Sequence, residues 1–178
     1  MATLILRPSG VGATTEYTAD PAVPNWQNVD EASPDSYDTH VYYYGNAADP
    51  IDVYAISPTL LAGKINSVSL TVNVYYSGTS DASWAKGVIR THDTNYAHPT
   101  LQYIYYNAGW QNLTFQWTTN PHTSTAWSWS EIYTMQIGQQ THSANSGRYI
   151  RVTQVYATID YTIETVRSNF GMGDCMVF

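Results

Sequence analysis

The feature that most constrains the fold is a strict alternation of side chains between Ser67 and Tyr76. Apolar side chains occupy every second position, and small or polar ones fill most of the positions between them, in the order Ser67, Val68, Ser69, Leu70, Thr71, Val72, Asn73, Val74, Tyr75 and Tyr76. A period of two residues is typical of a β-strand with one buried face. Such a strand needs a second layer against which its apolar face can pack.

Similar alternation recurs along the chain. It covers residues 112–118 and 155–163, and weaker strand signals cover residues 3–7, 37–44, 51–56, 84–91 and 101–106. Ile150 and Val152 have the opposite phase to Val155, which predicts a β-bulge near Thr153 and Gln154. Turn sequences such as Pro8-Ser-Gly10 and Ser77-Gly78 separate the strands. We therefore predict an all-β, two-sheet antiparallel β-sandwich of jelly-roll type.

One short helical turn is expected near residues 128–136. Ser128 and Glu131 have the spacing of a capping box, and Gly138 is expected to end the turn. We expect three tryptophans near this region to anchor the core: Trp117, Trp127 and Trp129. Residues 1–166 are predicted to form a single sandwich domain, and residues 167–178 lose the alternation. That C-terminal tail is interpreted as an assembly arm, with Phe170, Met172, Met176 and Phe178 as its contact residues.

The charge pattern bears on possible partners. Only 12% of the residues are charged, the net charge is −7, and residues 8–63 contain no lysine or arginine. Nucleic-acid binding requires clustered basic side chains, so we expect no nucleic-acid partner. No apolar run approaches the roughly 18 residues that span a bilayer, and no signal peptide is evident, so we expect no membrane partner and synthesis in the cytoplasm.

Three sequence stretches carry a resemblance to a known group of proteins. They are Trp117-Thr-Thr-Asn-Pro-His-Thr-Ser-Thr-Ala-Trp127, Glu131-Ile-Tyr-Thr-Met-Gln-Ile-Gly138 and Arg151-Val-Thr-Gln-Val-Tyr-Ala-Thr-Ile-Asp-Tyr161. Together with Leu6–Gly10 and Asn25–Glu31, they resemble bacteriophage virion proteins of jelly-roll type, with an Asn-Pro-x-Thr turn before a Trp and a closing Thr-Gln-Val-Tyr strand. The chain differs from that pattern at His122, where an acidic residue is common, and after Tyr161.

The resemblance implies a structural protein of a phage particle, located in the virion. Head decoration or cementing through subunit contacts is the first expectation, with a tail or fibre position as its variant. The partners would be other virion proteins, namely the major capsid protein or tail proteins. A homo-oligomer such as a trimer is expected from the symmetry of a virion lattice.

A carbohydrate-binding module that attaches to a host surface is the alternative. The chain contains 16 tyrosines and six tryptophans, and aromatic rings on an outer sheet face could stack on sugars or on a partner protein. Candidate contacts for a glycan or a partner are Trp84, Tyr42, Tyr44, Tyr103 and Tyr105. A carboxylate pair for glycoside hydrolysis could occur among Asp30, Glu31, Asp35 and Asp38, but loop spacing does not fix their distance.

Other catalytic patterns are missing from the sequence. The five histidines show no metal-binding spacing; His92, Asp93 and His98 are simply near one another. A nucleophile elbow, a phosphate-binding loop and a dinucleotide fingerprint are also absent. We therefore expect no enzyme activity, no cofactor and no metal.

The assembly-arm interpretation leads to a deletion experiment. Removal of residues 167–178 is expected to abolish incorporation into phage particles, because the contact residues of the arm are lost while the sandwich keeps its core. The measurement is the amount of the chain in purified particles, with thermal unfolding of the truncated protein as the control for folding. Unchanged incorporation would rule out the arm.

Overall fold

The computed structural model describes residues 1–45, 49–58, 61–79, 83–143 and 147–163, which form two six-stranded antiparallel sheets. Sheet A contains β1 (Ala2–Leu6), β3 (Thr18–Asp20), β4 (His40–Tyr44), β6 (Lys64–Tyr76), β10 (Gln111–Trp117) and β12 (Tyr149–Thr162). Sheet B contains β2 (Pro8–Thr15), β5 (Ile51–Ile56), β7 (Trp84–Thr91), β8 (Thr94–Ala97), β9 (Gln102–Tyr103) and β11 (Gln136–His142). The predicted β-sandwich is confirmed.

Strand order shows how the chain crosses between the layers. Sheet A runs β10-β6-β12-β4-β3, with β1 beside the second half of β12. Sheet B runs β2-β5-β11-β7-β8, with β9 beside the start of β7. Neighbours in the sequence often lie in different sheets, so most of the core forms from segments distant along the chain.

The inner face of β6 provides the centre of the core. Val68, Leu70, Val72 and Val74 are completely buried, as the alternation predicts. Beside them in the same sheet, on the neighbouring strands β10 and β12, lie Leu113, Phe115, Val155, Ala157 and Ile159, which are also buried. Removing this apolar surface from water is the main stabilising contribution to the fold, at about 25 cal/mol per Å².

The predicted bulge in β12 is confirmed. The pairing of β12 with β6 shifts register between Val152 and Gln154, so Thr153 is the extra residue. Before the bulge, β12 pairs with β4 on its other side; after it, β12 pairs with β1. Between these two partners the backbone N–H of Val155 donates to the carbonyl of Val29 at 2.9 Å. The bulge thus leaves room for the loop that contains Val29 to bond the edge of β12 between its two partner strands.

The short helix α1 (Trp129–Thr134) begins as the sequence predicts. Ser128 Oγ accepts from the backbone N–H of Glu131, and the Glu131 carboxylate accepts from the backbone N–H of Ser128 at 2.7 Å. The expectation for Gly138 was wrong, because the helix ends before it and Gly138 lies within β11. A Cβ at this position would lie 1.8 Å from the Asp52 carbonyl oxygen on β5, so the close approach of the two strands requires glycine.

Two other local predictions were wrong. Pro8 and Gly10 belong to strand β2 rather than to a turn, because they pair with β5 across an irregular register. The strand predicted over residues 101–106 is confined to β9, since the Gln111 side chain bonds both the N–H and the carbonyl of Tyr105 in place of a strand partner.

The three tryptophans lie around the α1 end of the core. Trp117 and Trp127 are buried, and Trp129 is partly buried, with its Nε1 donating to the Gly63 carbonyl at 2.8 Å. The predicted arm residues Phe170, Met172, Met176 and Phe178 lie outside the described residues. Within the described part of the chain, no helix is long and apolar enough to cross a membrane.

A buried carboxylate ties β5 to the chain entering sheet A. Asp52 Oδ1 accepts from the backbone N–H groups of Glu16 and Tyr17, while Oδ2 accepts from Asn25 Nδ2 at 2.6 Å and the Tyr54 hydroxyl at 3.2 Å. Burial raises the pKa of Asp52, although these hydrogen bonds oppose the shift. Both oxygens are needed, because four donors converge on them.

Asp52→Asn is therefore expected to lower the free energy of unfolding by about 1–3 kcal/mol at neutral pH, since one acceptor oxygen is replaced by an NH₂ group facing Asn25. Chemical denaturation followed by tryptophan fluorescence measures the change. The matched control is Asp93→Asn, whose exposed carboxylate contacts the Arg90 side chain at the surface and whose loss should leave stability unchanged. Equal effects of the two substitutions would contradict the structural role of Asp52.

Candidate ligand-binding surface

The outer face of sheet A carries an unusual concentration of aromatic side chains. Six rings and one guanidinium group occupy it near the start of β12, and we call this surface the aromatic face: Tyr37, Tyr42, Tyr44, Tyr75, Trp110, Tyr149 and Arg151. Their strand neighbours Val41, Val74, Ile150 and Val152 point into the core and are fully buried. Strand alternation therefore directs the aromatic residues outward.

One half of the aromatic face comes from β4 and β12. Tyr44 pairs with Tyr149 across these strands, and their ring centroids lie 4.6 Å apart. Tyr42 meets the same Tyr149 ring edge-on at 5.5 Å. Tyr44 remains 55% exposed, so its ring is available to a ligand.

The other half comes from β6, from the residue preceding β10, and from the loop before β4. Tyr37 lies on that loop and meets Tyr75 at 5.6 Å and Trp110 at 5.4 Å, in edge-to-face geometry. Tyr75 and Trp110 are 5.5 Å apart. Two aromatic rings in edge-to-face or tilted geometry at these distances attract each other. Tyr37 is 55% exposed and forms the outermost ring of this group.

Arg151 joins the two halves. It lies on β12, directly between Tyr42 on β4 and Tyr75 on β6. The guanidinium carbon is 4.7 Å from the centroid of the Tyr149 ring, 5.7 Å from that of Tyr37 and 5.8 Å from that of Tyr75. These distances are within the range of cation–π attraction.

Polar side chains continue the same outer face along β6 and β10. Asn73 Nδ2 donates to Asn112 Oδ1 at 2.7 Å, and the hydroxyls of Thr71 and Thr114 are 3.0 Å apart. Gln116 Nε2 then donates to Ser67 Oγ at 3.2 Å. We call this row the polar ladder. Asn112, Thr114 and Gln116 are exposed, so their amide and hydroxyl groups also face solvent.

The loop that carries Tyr37 is fixed at the β12 bulge. The hydroxyl of Thr153 lies 2.8 Å from Asp35 Oδ1 and 2.9 Å from the Thr39 carbonyl, while Gln154 Nε2 donates to the Glu31 carbonyl at 2.7 Å. The extra residue in β12 and its neighbour thus hold this loop in place. The bulge is therefore part of the reason that Tyr37 reaches Tyr75.

Two carboxylates in this loop share a single hydroxyl. Thr39 Oγ1 lies 2.5 Å from Glu31 Oε1 and 2.7 Å from Asp35 Oδ2, yet a hydroxyl has only one proton to donate. Burial raises the pKa of Glu31, and the nearby charge of Asp35 raises it further, whereas the contact with Thr39 lowers it. Burial and the charge of Arg151 lower the pKa of His40 beneath the same region.

The candidates Tyr103 and Tyr105 lie elsewhere, on β9 of sheet B and in the segment that follows it, beside the border strand β10 of sheet A. They line an open cleft of about 550 Å³ between the 101–105 segment and β10, together with Leu101, Gln102, Gln111, Asn112 and Leu113. Tyr103 and Tyr105 are 51% and 54% exposed. Asn112 belongs both to this edge cleft and to the polar ladder, so the two surfaces adjoin.

Trp84 lies on the outer face of sheet B. It pairs with Tyr103 across β7 and β9, and its ring stacks on His142 with centroids 5.3 Å apart. His142 Nδ1 lies 2.7 Å from Asp49 Oδ1, and the Lys86 ammonium lies 5.5 Å from the Trp84 ring centroid. Trp84 is partly exposed and already engaged by neighbours on both sides.

The histidines are distributed over several loops and strands. His92 stacks on His122 at 4.2 Å, and His122 Nδ1 bonds the Tyr96 hydroxyl at 2.7 Å. His98 instead packs against Trp117 and bonds the Gln116 carbonyl. Among the described residues, no three side chains of His, Cys, Asp or Glu come together in a way that could hold a metal ion.

The structure thus divides the predicted contact residues. Tyr42 and Tyr44 belong to the aromatic face, Tyr103 and Tyr105 to the edge cleft, and Trp84 to sheet B. Sequence reasoning missed Tyr37, Tyr75, Trp110, Tyr149 and Arg151. Tyr75 has the same phase as Thr71 and Asn73 in the sequence, which was a signal that it faces outward.

Comparison with known proteins gave structural neighbours only: no family model and no curated protein matches the chain. The neighbours include a CBM35 from Cellvibrio japonicus Abf62, with TM-score 0.46, 13% identity, and coverage of 90% of this chain and 95% of that one. A CBM22-1 xylan-binding domain from Paenibacillus barcinonensis Xyn10C gives TM-score 0.45 and 11% identity over 90% and 95% of the two chains.

A further neighbour is the CBM22-1 and GH10 modules of Clostridium thermocellum xylanase 10B, complexed with xylohexaose. Its TM-score is 0.49 at 13% identity, over 92% of this chain and 30% of that one. These structural neighbours are carbohydrate-binding modules or contain one. At such scores and identities, we infer no ligand from them.

The raised pKa of Glu31 predicts how stability responds to pH. The folded state favours the protonated carboxyl, so this stabilisation is complete below the unfolded-state pKa of about 4.3 and is lost as pH rises through the folded value. Glu31→Gln should therefore increase the free energy of unfolding more at pH 7 than at pH 4. Denaturation of both proteins at the two pH values measures this difference. A gain that is equal at both pH values would contradict the assignment to Glu31.

Proposed function

We propose that this protein binds carbohydrate through the aromatic face and the adjoining polar ladder. The observation that carries the proposal is the group of six rings on the outside of sheet A, two sets of three joined by Arg151, in a position where packing of the core does not require them. Scattered exposed apolar residues are ordinary, whereas a contiguous group of them marks a binding surface.

The two kinds of side chain on this face suit the two kinds of surface on a sugar. Exposed rings such as Tyr44 and Tyr37 can pack against the C–H groups on the flat side of a pyranose ring. The amides of Asn112 and Gln116 can both donate to and accept from sugar hydroxyls. An open face made from adjacent strands fits an extended chain better than a single sugar, which would be enclosed by a deep pocket.

We propose binding without cleavage of the sugar. Glu31 and Asp35 lie in the loop that carries Tyr37 and are near enough to each other to share a partner, because both contact the Thr39 hydroxyl. Asp35 also accepts from Thr153 on β12, and Glu31 Oε2 is enclosed. These contacts give both groups a role in holding the loop, whereas a hydrolytic pair must reach the glycosidic bond.

A phage particle is the proposed setting, and it rests on the sequence resemblance alone. In that setting the sandwich would attach the particle to a host-surface glycan, in a tail, fibre or head position. Head decoration through protein contacts is the competing proposal. Tyr, Trp and Arg are also enriched at protein interfaces, so the same face could pack against another virion protein or a second copy of the chain.

Single-ring substitutions test the glycan proposal. Tyr44→Ala and Tyr37→Ala should each weaken glycan binding about twofold to twelvefold, because each substitution removes roughly 0.5–1.5 kcal/mol of stacking. A glycan array identifies the ligand, and affinity electrophoresis in gels containing that glycan gives the dissociation constants. Release of reducing sugar from the same glycan is measured in parallel and should be absent.

Tyr105→Ala provides the matched control, because Tyr105 is similarly exposed but lies in the edge cleft. Its affinity should equal that of the unmodified protein. Loss of binding in Tyr105→Ala alone would move the site to the edge cleft. An array without any binding, together with stable association with capsid or tail proteins, would replace the glycan proposal with virion assembly.

A further inference from the structure

Arg151 is a basic residue at the centre of the aromatic face, and its charge has no carboxylate partner in the described part of the chain. Among the described residues, no carboxylate lies within ion-pair distance of its guanidinium group, whereas Arg90 pairs with Asp93 at 3.3 Å. Its guanidinium group instead lies over the three tyrosine rings described above. Arg151 is partly exposed, and no nitrogen of its side chain is both buried and without a partner.

The rings place the guanidinium group in a fixed position. Contacts with Tyr149, Tyr37 and Tyr75 restrain a side chain that is otherwise flexible, so little conformational entropy remains to be lost on binding. An arginine has five N–H donors in a planar fork that matches the two oxygens of a carboxylate or the oxygens of a sulfate. The tyrosine rings balance part of the positive charge of Arg151, but they cannot accept the pair of hydrogen bonds that a carboxylate or sulfate accepts.

We propose that the aromatic face binds an acidic polysaccharide, with Arg151 as the residue that receives its oxyanion. This inference rests on the glycan-binding function proposed above and specifies the class of sugar. The outer rings Tyr44 and Tyr37 lie on opposite sides of Arg151, so neighbouring sugars can stack while the charged sugar lies between them. The shared chemistry is a sugar-borne oxyanion, and carboxylate and sulfate are its two sources.

The net charge of the protein opposes the binding of an acidic polymer, so any preference for one must come from a local positive charge. The chain has a net charge of −7, so it repels an anionic polymer on average. Most of these charges are screened at physiological salt, where the Debye length is about 8 Å. A preference for an acidic polymer over its neutral counterpart therefore requires a local cation, and Arg151 is the cation that the aromatic face offers.

The test compares acidic polysaccharides with the same polymers after chemical reduction of their carboxyl groups. Polygalacturonate, alginate and a glucuronate-bearing xylan serve as probes, each beside its carboxyl-reduced form, and a sulfated galactan represents the sulfate source. Affinity electrophoresis of the unmodified protein should show at least tenfold tighter binding to an acidic form. Arg151→Gln should remove this preference, while Arg90→Gln on sheet B should retain it.

The possible outcomes separate this inference from the function on which it rests. Equal binding to acidic and reduced forms, with Tyr44→Ala still weakening both, would overturn the role of Arg151 and leave glycan binding intact. A preference that survives in Arg151→Gln would also overturn it. Tighter binding of the sulfated polymer would support the inference and identify sulfate as the source. Failure to bind any of these polymers would overturn the inference about Arg151, while the glycan array decides the function on which it rests.

The test gives an answer even if Arg151→Gln folds poorly. The comparison of acidic and reduced polymers uses the unmodified protein and decides whether an oxyanion is recognised. Thermal unfolding of Arg151→Gln then shows whether any loss of affinity reflects a damaged fold. If Arg151 served only to join the rings, the variant would lose stability and its affinity for acidic and reduced polymers would fall by the same factor.

Discussion

The pairing of β6 with β12 is the interaction on which the rest of the structure depends. These are the two longest strands, they form the middle of sheet A, and their inner faces carry the fully buried Val68, Leu70, Val72, Val155 and Ile159. The register shift at Thr153 keeps both halves of β12 packed on the core although the sequence changes phase there. Without it, one half of the strand would turn its apolar side chains to solvent.

The same register shift organises the outer surface. It divides sheet A into a part where β12 neighbours β4 and a part where it neighbours β1, and the aromatic face lies in the first part. The loop that carries Tyr37 crosses at the division and is held there by Thr153 and Gln154. Core packing and the arrangement of the proposed binding surface therefore share one structural cause.

The sequence predicted the sandwich well because alternation and turn chemistry are local signals. Short stretches of sequence predict the strands around Val68–Val74 and Val155–Ile159, the bulge and the capping box. The binding surface was less predictable, since Tyr42, Arg151 and Tyr75 become neighbours only through the register of three strands distant in sequence. The position of Tyr37 depends on a loop whose course is set by side-chain hydrogen bonds, which no periodicity encodes.

Local signals also failed where side chains replaced backbone partners. The segment after β9 reads as a strand, but Gln111 occupies the hydrogen-bonding groups of Tyr105. Pro8 and Gly10 read as a turn, but an irregular strand edge accepts both residues. In each case a contact with residues outside the segment decided the outcome, so the pattern within the segment could not reveal it.

Two side chains cover the outer edge of β10, the border strand of sheet A, and this affects how the sheet can pair with other chains. Gln102 Nε2 donates to the Thr114 carbonyl at 2.6 Å, and His98 Nε2 lies 3.3 Å from the Gln116 carbonyl, so two outward-facing backbone acceptors of this border strand are already occupied. A sheet border left open can recruit a foreign strand and grow into a continuous intermolecular sheet. Here these side chains hinder strand addition at β10, so self-association at this border would have to proceed through side-chain surfaces instead.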